Sequence, residues 1–196
     1  MAGVPFVGLT GGLGAGKSEA LRALGELGAA TLSTDAVVHD LLGGDELRAL
    51  VVARLGSEVA QDGRLDRSLI AERVFGDEEA RAWLEGELWP RVGMRVADWR
   101  AGIDDDRVGV VEVPLLFESG MEAVFDATIA VVADEELRAR RAGARSHAAL
   151  EDRERRQLAQ SEKAQRADFV VRNDGTIEAL KQSLSRVLAK LNTSSR

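Results

Sequence analysis

The stretch Gly8-Leu-Thr-Gly-Gly-Leu-Gly-Ala-Gly-Lys-Ser18 decides how the rest of this chain is interpreted. It contains the pattern G-x-x-x-x-G-K-S, formed by Gly11, Gly16, Lys17 and Ser18, which is the signature of a phosphate-binding loop. Glycines at this spacing let several backbone N–H groups converge on one anion, and the following helix points the positive end of its dipole at the same place. Lys17 supplies a cation for the outer phosphates, and Ser18 supplies a hydroxyl for Mg²⁺.

The segments on both sides of this phosphate loop, residues 11–18, support the motif. Val4-Pro-Phe-Val-Gly-Leu9 is a short apolar run typical of a strand, and Glu19-Ala-Leu-Arg-Ala-Leu24 is typical of a helix. Strand, glycine-rich loop and helix form the context that the motif requires. We therefore predict binding of a nucleotide phosphate, although the motif leaves open which nucleotide is bound. The residues expected to contact it here are Gly12, Leu13, Gly14, Ala15, Gly16, Lys17, Ser18 and Glu19.

Length and composition limit the class of protein. A chain of 196 residues with 45% hydrophobic content is long enough for one well-buried domain with insertions and too short for two ordinary domains. The absence of cysteine excludes disulfides, thiolate catalysis and zinc–thiolate sites. The N-terminus shows no signal-peptide pattern, and no apolar stretch approaches the length of a membrane span. We therefore expect a cytoplasmic protein that does not act at membranes.

The charge is unevenly distributed along the chain. The net charge of −7 argues against general nucleic-acid binding, which normally requires a basic surface. Residues 138–166 nevertheless carry nine Lys or Arg against four Asp or Glu, a local net charge of +5. A basic segment on an acidic protein suggests contact with an anion such as a nucleotide. A solvated helical surface is the alternative interpretation.

Apolar runs and helical patterns alternate along the chain, which predicts an α/β fold: a three-layer α/β/α sandwich around a parallel five-stranded sheet. Residues 35–100 are nearly all helical between two strands, which is long for one crossover. We expect residues 36–101 to form a helical substrate lobe and residues 135–166 to form a helical lid on one domain, 1–196. The strands after the first are expected at residues 29–34, 108–113, 128–133 and 168–171.

Single residues mark several helix ends. Asp45 and Thr176 are expected to cap the helices that follow them. Pro90 is expected to kink or break the helical pattern of residues 77–101. The last residues, 192–196, have the composition of a frayed tail.

Acidic residues at the carboxyl ends of the predicted strands are the candidates for chemistry, because ligands bind at that edge of such sheets. Asp35 follows the second strand and could accept a proton from an attacking hydroxyl, as acidic residues do in phosphoryl transfer. Its alternative role is the N-cap of a helix that begins at Ala36. Glu112 ends a later strand and could contact Mg²⁺ through water or bind an acceptor, and a buried, paired carboxylate is its alternative. His39 lies one turn beyond Asp35 and could touch substrate.

The basic segment can be given a specific role. Arg138, Arg141 and Arg145 fall on one helical face, and Arg156 and Gln160 fall at i, i+4 on the next predicted helix. A helical hairpin that closes over ATP would bring guanidinium groups to the transferred phosphate and exclude water.

Several separate motifs resemble those of the dephospho-coenzyme A kinase family. The phosphate loop is similar to the family's loop, and Val113-Pro-Leu-Leu-Phe-Glu118 resembles its more specific P-L-L-F-E segment. Gly63-Arg-Leu-Asp-Arg67, followed by Val74-Phe75, resembles the L-D-R…V-F stretch of the coenzyme A lobe. Ala167-Asp-Phe-Val-Val-Arg-Asn173 resembles the region near the adenine of ATP.

The resemblance implies the transfer of the ATP γ-phosphate to the ribose 3′-hydroxyl of dephospho-coenzyme A, with ATP and Mg²⁺ as cofactors. Asp35 would be the base, Lys17 and Arg141 the charge stabilisers and Ser18 the metal ligand. Arg145 and Asn173 would also contact ATP. A monomer with at most weak oligomerisation is expected. The acceptor would be contacted by Asp35, His39, Leu65, Asp66, Arg67, Phe75, Glu112, Pro114, Leu115 and Arg156.

Four positions depart from the family pattern. Ser33 replaces the first Asp of D-A-D, Glu112 replaces an Asp, Trp89 replaces the His of H-P, and Arg138 replaces a glutamine of the lid. These changes affect the details of acceptor contacts more than the reaction.

Two other functions fit the phosphate loop. A kinase of the nucleoside-monophosphate type shares the loop and the arginine-bearing lid, and residues 113–118 discriminate against it. A regulatory nucleotide-binding switch is the second alternative, but Asn173-Asp-Gly175 lacks the N-K-x-D pattern that reads guanine.

Overall fold

The computed structural model describes residues 4–143 and 157–194. A hairpin of β3 and β4 stands apart, and the other five strands form one sheet in the spatial order β2-β5-β1-β6-β7. Every pairing within this sheet is parallel, so the predicted parallel five-stranded sheet is confirmed. In chain order the strands are β1 (Phe6–Gly11), β2 (Ala30–Ser33), β3 (Ala60–Gln61), β4 (Arg64–Leu65), β5 (Gly109–Glu112), β6 (Ala127–Val132) and β7 (Phe169–Arg172).

Strand β1 lies at the centre of the sheet and leads into the phosphate loop. All six of its residues are buried, as expected for a strand covered on both faces. It ends two residues later than predicted, because Thr10 and Gly11 still pair with Ala130 and Val131 of β6. The loop therefore begins directly at the edge of the sheet where ligands bind.

Helices cover both faces of the sheet and complete the predicted three layers. Residues of α1 and α8 share one core cluster with β1 and β6, and residues of α2 and α5 pack on the opposite face. The helices are α1 (Lys17–Glu26), α2 (Thr34–Leu42), α3 (Asp45–Leu55), α4 (Arg67–Val74), α5 (Glu78–Ala101), α6 (Glu135–Gly143), α7 (Gln160–Arg166) and α8 (Ile177–Ser194).

A separate apolar cluster holds the helical region between β2 and β5 together. Its members come from the end of α2, from α3 and α4, and from the first half of α5, and Val51 and Val59 are fully buried within it. The helical region therefore has an apolar core of its own. Its buried residues are Leu42, Leu47, Val51, Leu55, Val59, Ile70, Ala80 and Leu84.

Helix ends differ from the sequence-based expectations at four places. The N-cap of α2 is Ser33 and that of α3 is Gly44, so Asp35 and Asp45 lie within their helices and the capping roles were wrong. Helix α5 continues through Pro90, because burial of Leu84 and Val92 on either side outweighs one missing N–H.

Helix α8 extends to Ser194, so the expected frayed tail was wrong for residues 192–194, while residues 195–196 lie outside the described residues. Burial of Leu191 holds its last turns against the fold. The cap at Thr176 is confirmed, since its hydroxyl accepts a hydrogen bond from the Ala179 N–H. Within residues 4–143 and 157–194, no helix is both long and apolar enough to cross a membrane.

Candidate active site

The phosphate loop has a backbone shape that only glycine adopts without strain at two positions. Gly14 and Gly16 have φ values of +73° and +90°. A Cβ atom at Gly16 would lie 2.1 Å from Nδ2 of Asn173, and one at Gly14 would lie 2.4 Å from the carbonyl oxygen of Arg138. The glycines are therefore required both by the turn of the chain and by the elements packed against it.

Replacement of Gly16 by alanine is expected to distort the loop. A left-handed L-residue costs roughly 1–2 kcal/mol, and the added methyl group would also displace the Asn173 amide. Gly28→Ala is the matched control, because Gly28 has a similar φ of +97° with nothing within 4 Å of its added Cβ. We expect Gly16→Ala to weaken ATP binding, measured by calorimetry, whereas Gly28→Ala should lower only the melting temperature. Equal ATP affinity in the two variants would contradict this account.

Lys17 begins α1, and its Nζ donates a hydrogen bond to the Gly12 carbonyl oxygen at 3.2 Å. The ammonium group thus lies across the loop, where it can meet phosphate oxygens. Glu19 forms an ion pair with Arg22 on the same helix. Its contact with a nucleotide stays a prediction.

Glu112 brings the predicted chemical groups together. It ends β5, is only 4% exposed, and pairs in register with Ser33 of β2 and Leu9 of β1. Burial raises the pKa of its carboxyl, the Lys17 charge counters that rise, and the negative charge of Asp35 adds to it. The side chains of Ser33 and Ser18 also oppose the rise in this pKa. Glu112 is thus a buried carboxylate under the influence of the Lys17 charge, and its functional role stays a prediction.

Asp35 lies in the first turn of α2, at the border between this charged group and a large cavity. The Thr34 hydroxyl donates to the Glu112 carbonyl oxygen at 2.9 Å, which fixes the start of α2 against the end of β5. Asp35 is consequently held half-buried, with its carboxylate near enough to Glu112 for the two charges to interact.

The large cavity, with a volume of about 470 Å³, lies between the sheet edge and the helical region. Its wall is mainly apolar, with charged groups from Asp35, Arg67, Arg81 and Glu85. Its lining residues are Thr34, Asp35, Val38, Leu42, Arg67, Ser68, Ile70, Ala71, Val74, Phe75, Arg81, Leu84, Glu85, Leu88, Trp89, Val92, Val113, Pro114, Leu115 and Met121.

Five of the predicted acceptor residues line this cavity, namely Asp35, Arg67, Phe75, Pro114 and Leu115. His39 is exposed, and neither it nor Leu65 is part of the wall. Asp66 is the N-cap of α4, where its carboxylate accepts hydrogen bonds from the Ser68 and Leu69 N–H groups. Its role in the fold is therefore to begin the helix that presents Arg67.

Sequence reasoning missed Arg81 and Glu85 in the cavity wall and noted Trp89 only as a departure from the family pattern. Arg81, Glu85 and Trp89 lie four residues apart along α5 and all line the wall. Residues at i, i+4 and i+8 share one helical face, so the spacing could have identified them.

The other side of the phosphate loop contacts helix α6 and the end of β7. Arg138 Nε donates to the Leu13 carbonyl oxygen at 3.0 Å, and its guanidinium lies against Gly12. Arg141 Nη1 donates to the Asn173 carbonyl oxygen at 3.1 Å, and the buried Asn173 amide donates to the Ala15 carbonyl oxygen at 2.9 Å. The predicted nucleotide residues Arg141 and Asn173 are thus brought to the loop.

The second half of the predicted lid is described only in part. Arg145 and Arg156 lie outside the described residues. Gln160, expected beside Arg156 on the second lid helix, accepts a hydrogen bond from the Ala133 N–H and donates one to the Ala133 carbonyl oxygen, both at 2.8 Å. The side chain oxygen of Gln157 instead reaches the loop and accepts from the Leu13 N–H at 3.2 Å.

Comparison with known proteins identifies the family. The sequence model for dephospho-CoA kinase matches residues 5–179. The chain belongs to the dephospho-CoA kinase family. A relative from Protochlamydia amoebophila, a dephospho-CoA kinase, is 39% identical over 193 residues, which cover 94% of this chain and 95% of the relative. These matches confirm the expected activity, which is that of a dephospho-CoA kinase and forms the last step of coenzyme A synthesis.

Solved structures agree with this fold. The protein TT1252 from Thermus thermophilus superposes with a TM-score of 0.82 at 33% identity, covering 95% of this chain and 97% of its own. A shikimate kinase from Bacteroides thetaiotaomicron has a TM-score of 0.54 at 13% identity, covering 96% and 98%, and is similar in fold alone. The family match also rejects the two alternatives, a nucleoside-monophosphate kinase and a regulatory switch.

Proposed function

We propose that Asp35 is the general base of this dephospho-CoA kinase and that the large cavity binds dephospho-CoA. The observation that carries the proposal is the position of Asp35, which lines the cavity and interacts electrostatically with Glu112, whose carboxyl is also influenced by Lys17 and Ser18 of the phosphate loop. A hydroxyl bound at this border would face a carboxylate on one side and the loop on the other.

The reaction then follows from these positions. The ribose 3′-oxygen attacks the γ-phosphorus of ATP and forms a new P–O bond, while the bond to the β–γ bridging oxygen breaks and releases ADP. The hydroxyl proton passes to the Asp35 carboxylate. Lys17 and Arg141 stabilise the charge on the phosphate oxygens. The Arg145 and Asn173 roles in ATP binding, and that of Arg156 at the acceptor, stay predictions.

The loop residues fit a magnesium ion. Ser18 offers a hydroxyl beside the Glu112 carboxylate, an all-oxygen set of the kind that Mg²⁺ prefers when phosphates complete its shell. In the described residues no group of three or more His, Cys, Asp or Glu side chains forms a metal site. When bound, Mg²⁺ would neutralise charge on the phosphates. Ser18 is therefore proposed as the direct ligand.

An assay of ADP release across a panel of acceptors tests the proposed function. Dephospho-CoA, adenosine and nucleoside monophosphates are supplied separately with ATP and Mg²⁺, and the product of each reaction is identified by mass. We expect fast ADP release only with dephospho-CoA, with the phosphate at the 3′ position of the ribose. Equal rates with the other acceptors would contradict the proposal. The cytoplasmic location and the monomeric state stay predictions.

Trp89 is expected to contribute to acceptor binding, because its indole forms part of the cavity wall and remains 36% exposed. We expect Trp89→Ala to raise the KM for dephospho-CoA by roughly tenfold and to leave the KM for ATP unchanged. Met94→Ala on the same helix is the control, because Met94 is 60% exposed and lies outside the wall. An equal rise in both KM values would indicate a general loss of structure instead.

A further inference from the structure

Lys163 on α7 is a fully buried lysine, with 0% of its side chain exposed. Its Nζ donates to Glu118 Oε1 at 2.8 Å, to the Pro114 carbonyl oxygen at 2.8 Å and to Thr10 Oγ1 at 3.4 Å. These three acceptors match the three donors of an ammonium group. Burial lowers the pKa of Lys163, and the adjacent Glu118 carboxylate counters that shift. Lysine is almost never buried so completely without a paired partner.

The three partners of Lys163 belong to the two binding regions and the connection between them. Thr10 directly precedes Gly11 at the start of the phosphate loop. Pro114 lines the large cavity on the other side. The Thr10 hydroxyl itself donates to the Pro114 carbonyl oxygen at 3.3 Å. One ammonium group therefore joins the root of the phosphate loop to the wall of the cavity.

Glu118 extends this link to the segment that leads into α7. Its Oε1 also accepts a hydrogen bond from the Leu158 N–H at 2.7 Å. The preceding residue, Gln157, accepts from the Leu13 N–H of the phosphate loop. The Gln157–Leu158 segment is thus held between Glu118 and the loop.

The energetics of this pair do not favour a purely stabilising role. Apolar side chains of similar volume often stabilise a core as well as a buried ion pair does, because the pair loses its hydration. Glu118 Oε2 is buried and has no hydrogen-bond partner among the described residues. What the pair supplies that apolar groups cannot is a set of directional bonds between defined atoms.

We infer that Lys163 and Glu118 are positioning residues that hold the phosphate loop, the Pro114 wall of the cavity and the Gln157–Leu158 segment in the arrangement needed for transfer. This inference rests on the proposed function, in which the cavity holds the acceptor. Neither residue touches the reacting atoms. They act through Thr10, Pro114 and Leu158.

The test replaces the pair by apolar residues, Lys163→Met with Glu118→Leu. The matched control is Arg166→Met with Glu122→Leu, because that ion pair also joins α7 to the segment after β5 but is partly exposed and bonds neither Thr10 nor Pro114. Three quantities are measured for each protein: the melting temperature, kcat and KM for both substrates, and the ratio of acceptor-independent ATP hydrolysis to transfer.

We expect the Lys163/Glu118 double variant to melt near the control and to keep its KM for ATP within about twofold. Its kcat for transfer should fall at least tenfold, and the ratio of hydrolysis to transfer should rise, because loop and acceptor are no longer held in register. A merely structural pair would leave that ratio unchanged. A folded double variant with wild-type kcat and ratio would overturn the inference.

Glu118→Gln provides a second measurement if the double variant does not fold. The amide keeps the size and an acceptor oxygen but loses the charge, and we expect an intermediate fall in kcat with the same rise in the ratio. Wild-type values in folded Glu118→Gln would overturn the inference in that case. A wild-type enzyme that transfers nothing to dephospho-CoA would refute the proposed reaction and the inference with it, whereas active wild type and equally active variants would refute the positioning pair alone.

Discussion

Replacement of Asp35 by asparagine is expected to lower kcat by about 10²-fold or more and to leave the affinity for ATP nearly unchanged. Asparagine keeps the size of the side chain but cannot take up the proton of the attacking hydroxyl. Asp35 lines the large cavity and is held half-buried in the first turn of α2, so the replacement of one oxygen by an NH₂ group should not disturb the helix. Turnover is measured by single-turnover kinetics, and ATP affinity by calorimetry.

Asp40→Asn is the matched control for this variant. Asp40 lies on the same helix, is exposed, and is not part of the cavity wall. Its replacement should leave kcat at the wild-type value. If Asp35→Asn were as active as Asp40→Asn, Asp35 would not be the general base.

Replacement of Lys17 by alanine is expected to lower kcat/KM for ATP by about 10²–10³-fold, because a positioned cation at the transferred phosphate is lost. The Lys17 ammonium lies across the loop against the Gly12 carbonyl oxygen. It is also the positive charge that counters the burial-driven rise in the pKa of Glu112. Both ATP binding and the chemical step should therefore weaken.

Lys190→Ala provides the control for the loss of one positive charge, since Lys190 is exposed on α8. It should bind ATP and turn over as the wild type does. ATP affinity and kcat are measured for both variants under the same salt concentration, because exposed charges are screened by salt. A fully active Lys17→Ala variant would mean that the loop does not hold the reacting phosphate.

Local patterns predicted the fold and one half of the site. The phosphate loop, the apolar strands and the acidic residues at strand ends can each be recognised from a short stretch of sequence. In a parallel sheet the carboxyl ends of the strands lie at the same edge of the sheet. Asp35, Glu112, Lys17 and Ser18 could therefore be predicted to meet, and they do. The strand that contains Glu112 pairs with both β1 and β2, as an apolar run buried on both faces requires.

Long-range contacts account for what the sequence did not predict. Lys163 lies in a charged, helix-forming stretch, so nothing local distinguishes it from its exposed neighbours, and its partner Glu118 is 45 residues away in the chain. The hydrogen bonds between the Gln160 amide and the backbone of Ala133 also join residues far apart in the chain, so local sequence did not predict them. Asp66 caps α4 through local contacts, and its predicted contact with the acceptor stays a prediction.

The central position of β1 in the sheet affects how the protein folds during its synthesis on the ribosome. β1 is made first, but its neighbours β5 and β6 begin at residues 109 and 127. At translation rates of about 5–20 residues per second, the phosphate loop waits on the order of ten seconds for the strands that hold its root. The helical region with its own apolar cluster leaves the ribosome within that interval and can pack in the meantime. A nascent chain should therefore acquire nucleotide binding late, after β6 has paired with β1 and after Arg138 and Asn173, which contact the loop, have been made.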